Sequence, residues 1–322
     1  MTLGYRLAMV ALALVLAVLS WRYVETPFRK RLVCARRPAM FAFGAAGIAL
    51  VLAVGSTAVL MHGFPTRYSP AALAFANTKD DKWGIHELSA QDIRANNLVI
   101  IGNQDPQAPV SLLLWGDSHA MAAAPAFDKF LRENGQAGRQ ATHSATAPVL
   151  GAYWQSPFTN QKEVIAFNDA VFAYIARLKI PRVVLVGNWE YYTDARGTVP
   201  FETALLYTIK RLVATGTHPY ILLQVPHPQF DVPKALAMAS CFSRDLTPFL
   251  ARPTAWNSVH GEGSIFLKQI ESEGGHIIDP RPLFMDYTNS HYIVEKNGVS
   301  LYRDQGHLSA TGAKMMLVPL LR

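Results

Sequence analysis

Residues 109–119, PVSLLLWGDSH, run from an apolar segment straight into a glycine, an acid, a hydroxyl and an imidazole. A continuous apolar run closed by a turn is the pattern of a strand buried on both faces of a sheet. Residues 120–134 read as the helix that follows, with Gly135 at its stop. The alternation then repeats. A short strand ends near His143. Residues 161–179, QKEVIAFNDAVFAYIARLK, form an amphipathic helix closed by Pro181, and RVVLVGN at 182–188 is a strand. Residues 200–215 are a helix ended at Gly216, and PYILLQV at 219–225 is a strand. Residues 258–273 read as helix, HIID at 276–279 as strand, Asn297-Gly298 as a hairpin turn and Ser309–Leu321 as a last helix. Strands alternating with helices of this length predict an α/β fold, a parallel sheet flanked by helices. In such folds function gathers at the carboxyl ends of the strands.

The chain upstream has a different character. Residues 39–61, AMFAFGAAGIALVLAVGSTAVLM, carry no charge over 23 positions. As a helix they rise about 34 Å, enough to cross a hydrocarbon core of about 30 Å. Residues 7–21 are uncharged between Arg6 and Arg22, with Tyr5, Trp21 and Tyr23 where interfacial aromatics belong. A span over about 4–23 follows. A cleaved leader would carry a small-x-small site after its apolar run and its heavier positive charge before it; here that charge comes after.

The formal net charge of +7 is local. Residues 1–61 hold seven bases against the single acid Glu25, and most of them lie in Trp21–Pro38. That is the signature of a cytoplasmic loop between two spans, with the amino terminus and everything after Met61 outside. Cys34 and Cys241 would then face opposite sides of the membrane and cannot pair. Residues 62–108 read as a linker or extension, with Pro65, Pro70 and the KDDK patch at 79–82. The rest of the chain is close to neutral, so no basic face suggests nucleic acid. Two cysteines exclude a disulfide scaffold and a thiolate zinc cluster. The histidines lack ligand spacing, so no metal is expected.

Two motifs carry chemistry. Gly116-Asp117-Ser118-His119 follows the first strong strand, and Asp304-x-x-His307 precedes the last helix. Gly116 lets the chain turn sharply. Ser118 then opens a helix, where free backbone N–H groups stabilise a developing oxyanion. A serine hydroxyl is a weak nucleophile and needs a base, for which His307 is suited. Asp304, three residues earlier, can accept from one imidazole nitrogen and leave the other facing Ser118. Each motif alone is also an ordinary capped turn; their placement at the first strand's end and the last helix's start is what makes the pair specific. His119 lines the site or simply occupies a first helical turn. Trp115, Trp189, Tyr191 and Tyr192 gather near strand ends, as a platform for the C–H face of a sugar or as packing. His227, between two prolines, reads as structural.

Two resemblances follow. The blocks at Gly116–Ser118 and Asp304–His307 resemble those of the SGNH hydrolase superfamily, over roughly residues 109–321, which implies its flavodoxin-like parallel sheet. In Val186-Gly187-Asn188-Trp189, Asn188 stands where that superfamily has its oxyanion asparagine. The Gly-to-Asn spacing is one shorter, Trp189 replaces an aspartate, and Asn188 also suits a turn cap. The remaining block has a candidate in His143–Pro148, with the Ser144 N–H as a further oxyanion donor. The segment SWRYVETPFRKR, with Glu25-Thr26-Pro27-Phe28-Arg29, resembles the end of the membrane domain of the acyltransferase-3 family.

The chain is thus similar to the C-terminal part of bacterial acyltransferase-3/SGNH fusions, which O-acetylate surface polysaccharides, notably lipopolysaccharide O-antigen. The resemblance implies an SGNH domain at 109–322 in the periplasm, anchored in the inner membrane by residues 1–61. It implies an acyl-Ser118 intermediate and a polysaccharide acceptor. No cofactor is expected to stay bound. The acetyl group, ultimately from acetyl-CoA, would come through a missing or separate acyltransferase-3 membrane domain, because the body of that domain and its catalytic histidine do not match this chain. Two other readings stay open: a membrane-tethered carbohydrate O-acetylesterase, and a non-catalytic sugar-binding module.

Overall fold

A computed structural model describes residues 3–30, 32–33, 36–194, 197–250, 265–288 and 290–322. Cys34 and the first part of the helix expected at 258–273 lie outside the described residues. Cys241 is a half-buried free thiol. The chain divides into two units, residues 1–67 and 68–322.

In the first unit, helix α1 (Leu3–Ser20) does not end near residue 23. It passes through a wider π turn at Trp21–Glu25 into a further helical turn at Thr26–Arg29. The N–H of Thr26 reaches back five residues to the carbonyl of Trp21, and its Oγ1 donates to the same oxygen at 2.7 Å. That wider turn accommodates Pro27, which has no N–H to give and would crowd the carbonyl four residues back in a regular helix. Helix α2 (Arg37–Leu60) follows. Both apolar helices are long enough to cross a membrane, and neither is buried among the described residues. A helix apolar all round and left bare suits lipid rather than water.

The second unit opens with α3 (Pro70–Asn77), α4 (Ala90–Arg94) and β1 (Val99–Gly102). There follow β2 (Val110–Gly116), α5 (Ser118–Glu133), β3 (Ala137–Thr142), α6 (Gln161–Leu178) and β4 (Arg182–Val186). Next come α7 (Trp189–Asp194), α8 (Phe201–Ala214), β5 (His218–Leu222) and α9 (Val232–Phe242). The last are α10 (Ile265–Ser272), β6 (His276–Ile278) and α11 (Ala310–Leu321). The sheet runs β1-β3-β2-β4-β5-β6, parallel except for β1, which pairs antiparallel with β3 at one edge. Without β1, this is the doubly wound, flavodoxin-like order.

The stretch read as linker or extension does more than connect. β1 belongs to the sheet, and the Ile93 side chain of α4 is fully buried in the core. Its strand is four residues, too short for periodicity to reveal. The hairpin at Asn297-Gly298 is as expected: both residues have positive φ, and Glu295–Lys296 pairs with Val299–Ser300.

Alternation along β2 splits the core between the two faces of the sheet. Leu113 and Trp115 join Phe167, Val171, Leu185 and Phe201 on one side. Leu112 and Leu114 join Phe127, Leu131, Met316 and Tyr302 on the other. Where β2 ends, Gly116 supplies room rather than an unusual turn. Its φ is ordinary, but a Cβ there would lie 1.8 Å from the carbonyl oxygen of Val186 and 2.8 Å from the Cβ of Ala120. Gly116→Ala is expected to cost about 3 kcal/mol or more, since backbone must move apart. Urea unfolding of the full chain in detergent would read this; an unchanged midpoint would refute it.

Candidate active site

The turn between β2 and α5 places Ser118 at the first helical position, where its N–H has no intrahelical partner. Asp117 is the N-cap and accepts the His119 N–H at 2.8 Å. Ser118 Oγ lies 2.8 Å from Nε2 of His307, 189 residues further along the chain. The other ring nitrogen, Nδ1, lies 2.9 Å from Asp304 Oδ2. Asp304 Oδ1 accepts the N–H groups of Gly306 at 2.8 Å and of His307 at 2.7 Å. One carboxylate therefore folds the loop with one oxygen and orients the imidazole with the other. With Nδ1–H given to Asp304, the lone pair of Nε2 faces the serine hydroxyl.

Burial by itself raises the proton affinity of Asp304. The hydrogen bond and charge of His307 and the two amides outweigh it, and the carboxyl is held well below the usual carboxylate range. The ring of His119 lies 4.6 Å from that of His307. Burial, and then the neighbouring His307, push the His119 imidazole well below its ordinary pKa, so it is a neutral wall beside the pair.

Asn188 is held from several sides. Its N–H donates to Asp117 Oδ2 at 2.9 Å, its carbonyl accepts the Tyr192 N–H at 3.2 Å, and its Oδ1 accepts the Tyr191 N–H at 3.2 Å. The side chain thus caps α7, and its Nδ2 has no partner among the described residues. Oxyanion donor and turn cap, set as alternatives by the sequence, use different atoms and are compatible.

Other expected positions are engaged by other partners. The Ser144 N–H donates to Glu87 Oε2 at 2.8 Å, and its hydroxyl is bonded to the same carboxylate, so this amide is spent. Trp115 is fully buried and donates to Asn168 Oδ1 at 3.0 Å. Trp189 is buried and donates to the Leu222 carbonyl at 2.7 Å. Neither offers a face to a sugar. Tyr191 is exposed, its hydroxyl donating to the Gln155 carbonyl at 3.0 Å. Sequence reasoning gave no partner to Tyr192, whose hydroxyl donates to buried Asp117 at 2.7 Å. His227 packs its ring on Gly306, next to His307, and its Nδ1 lies 3.7 Å from Glu190. Among the described residues no group of His, Cys, Asp and Glu is clustered as a metal ion requires.

A doubly wound sheet with serine, imidazole and carboxylate meeting at the carboxyl ends of its strands defines a class, the SGNH-type acyl hydrolases and acyl transferases. Within it, the chain belongs to the family of SGNH domains fused to acyltransferase-3 domains, whose model matches residues 84–321. A search of curated protein sequences gives no match. Among solved structures, the chain is similar to the periplasmic domain of a lipopolysaccharide acetyltransferase from Salmonella ser. Paratyphi A. The TM-score is 0.54 at 17% identity, over 77% of this chain and 94% of that one. A GDSL-like lipase from Bacteroides thetaiotaomicron matches with a TM-score of 0.38 and 11% identity, over 77% of this chain and 96% of the other. At 17% identity the likeness to the Salmonella domain speaks to the fold alone.

Proposed function

We propose that the chain transfers an O-acyl group, acetyl foremost, to a sugar hydroxyl of a surface polysaccharide such as lipopolysaccharide O-antigen. The observation that carries this is the relay Ser118–His307–Asp304, with contacts of 2.8 and 2.9 Å, in a domain whose family is fused to acyltransferase-3 domains. Ser118 Oγ attacks the acyl carbonyl while its proton passes to His307 Nε2. The tetrahedral oxyanion accepts from the Ser118 N–H and Asn188 Nδ2. Collapse expels the leaving group, which takes the proton from His307, and acyl-Ser118 remains. A sugar hydroxyl then gives its proton to His307 and attacks the ester, and Ser118 recovers a proton as it leaves.

The two apolar helices anchor the chain in the inner membrane, with the SGNH domain in the periplasm. The acetyl group, ultimately from acetyl-CoA, arrives through a separate or further acyltransferase-3 membrane domain. The resemblance of residues 20–31 to the end of such a domain supports that partnership.

The test gives the full chain, in detergent, p-nitrophenyl acetate and a panel of oligosaccharides, and counts acetyl released to water and acetyl attached to sugar. Acetylated sugar that disappears with Ser118→Ala is expected. Acetyl passing only to water would make the chain a tethered esterase, and absence of Ser118-dependent turnover would leave a sugar-binding module. In the same assay Asn188→Ala is expected to lower kcat about 10²–10³-fold with KM little changed, as loss of one oxyanion donor does. A kcat within twofold of the parent would remove Asn188 from that role.

A further inference from the structure

Asp117 is a buried carboxylate, 1% exposed, with no lysine or arginine paired to it among the described residues. Burying an acid in this way is costly and raises its proton affinity, although three donors oppose the shift. Capping α5 needs only one of those donors, the His119 N–H on Oδ1. The other two converge on Oδ2 from the segment after β4: the Asn188 N–H, 71 residues away, and the Tyr192 hydroxyl, 75 residues away. A cap does not require them, and an exposed acid would serve a cap as well.

These bonds tie two pieces of chain that chemistry needs in register. Asp117 precedes Ser118 in the turn, and its second oxygen holds the backbone of Asn188. With the Asn188 carbonyl and Oδ1 also engaged, only Nδ2 is left to donate. The same junction is closed from below by the absent side chain of Gly116, which lets β2 and β4 approach at Val186.

We propose that Asp117 is a positioning residue that sets the oxyanion donor Asn188 against the nucleophile Ser118, an inference that rests on the acyl-serine reading above. It touches no reacting atom and acts through Asn188. Displacing a donor by about 1 Å costs up to about 10²-fold in rate.

Asp117→Asn isolates this role. The amide keeps an oxygen for the His119 N–H, but places an NH2 where the Asn188 N–H needs an acceptor. Asp117→Ser is the second variant: serine caps a helix well but is too short to reach Asn188. Each is made alone and combined with Asn188→Ala in the full chain in detergent, with p-nitrophenyl acetate as substrate. Reacted Ser118 is counted by fluorophosphonate labelling, so rates are per folded site.

Each Asp117 variant is expected to lower kcat about 10–100-fold with KM changed less than threefold. On the Asn188→Ala background the same change should cost less than about threefold, because the donor it positions is gone. Full multiplication of the two effects, or an unchanged kcat in both Asp117 variants, overturns the proposal. Turnover surviving Ser118→Ala would instead sink the acyl-serine reading itself, so the two failures are distinct.

Discussion

Ser118→Ala is expected to abolish acyl-enzyme formation and to lower turnover of an activated acetyl ester by about 10⁴–10⁶-fold, the range seen when a triad nucleophile is removed. On the proposed route the loss is large because Ser118 would take part in both halves of the reaction, as attacking group and as leaving group. His307 would keep its orientation, since the contact to Asp304 does not involve the serine. It would then have only water to activate, with nothing to hold that water against the carbonyl. The helix should survive, because Asp117 and not Ser118 supplies the cap. An unchanged melting temperature beside lost turnover is therefore the expected pair of results. Mass spectrometry of the peptide containing residue 118 should show acyl-serine in the parent and none in the variant. Retention of more than about a hundredth of parental turnover would mean that the nucleophile lies elsewhere.

Asp304→Asn is expected to lower kcat by about 10⁴-fold while the domain still folds. The carboxylate accepts on both oxygens, from two loop amides on one side and the imidazole on the other. An amide cannot do both. If its NH2 faces His307, Nδ1 must accept, the ring proton moves to Nε2, and the base facing Ser118 is lost. If its oxygen faces His307, the N–H groups of Gly306 and His307 confront a donor and the loop loosens. Stability should show the charge as well. The folded carboxyl titrates below its unfolded value, so its contribution is present above the unfolded pKa of about 4 and fades as pH falls through and below it. Urea unfolding of parent and variant should differ most near neutral pH and converge in acid. Asp117, raised by burial, titrates in both proteins and cancels from the difference. A gap that widens in acid would contradict the assigned role of Asp304.

The sequence by itself determined the alternation of strands and helices, the two uncharged spans and the pairing of Gly-Asp-Ser with Asp-x-x-His. Each is a local pattern: a period, an apolar length, or side chains close along the chain. Where a hydrogen bond spans two or three residues, as Asp304 does to Gly306 and His307, the motif already contains both partners. Only the tertiary structure decided the rest. The antiparallel edge strand β1 depends on β3 being there to pair with it. Trp115 and Trp189 point into packing because Asn168 and the Leu222 carbonyl receive them. Ser144 is consumed by Glu87, 57 residues away, and Asn188 is fixed by Asp117 across 71. Those partners meet because strand order and layer packing carry distant segments to one place. A hydrogen bond responds to separation in space, and sequence spacing holds no record of it at that range.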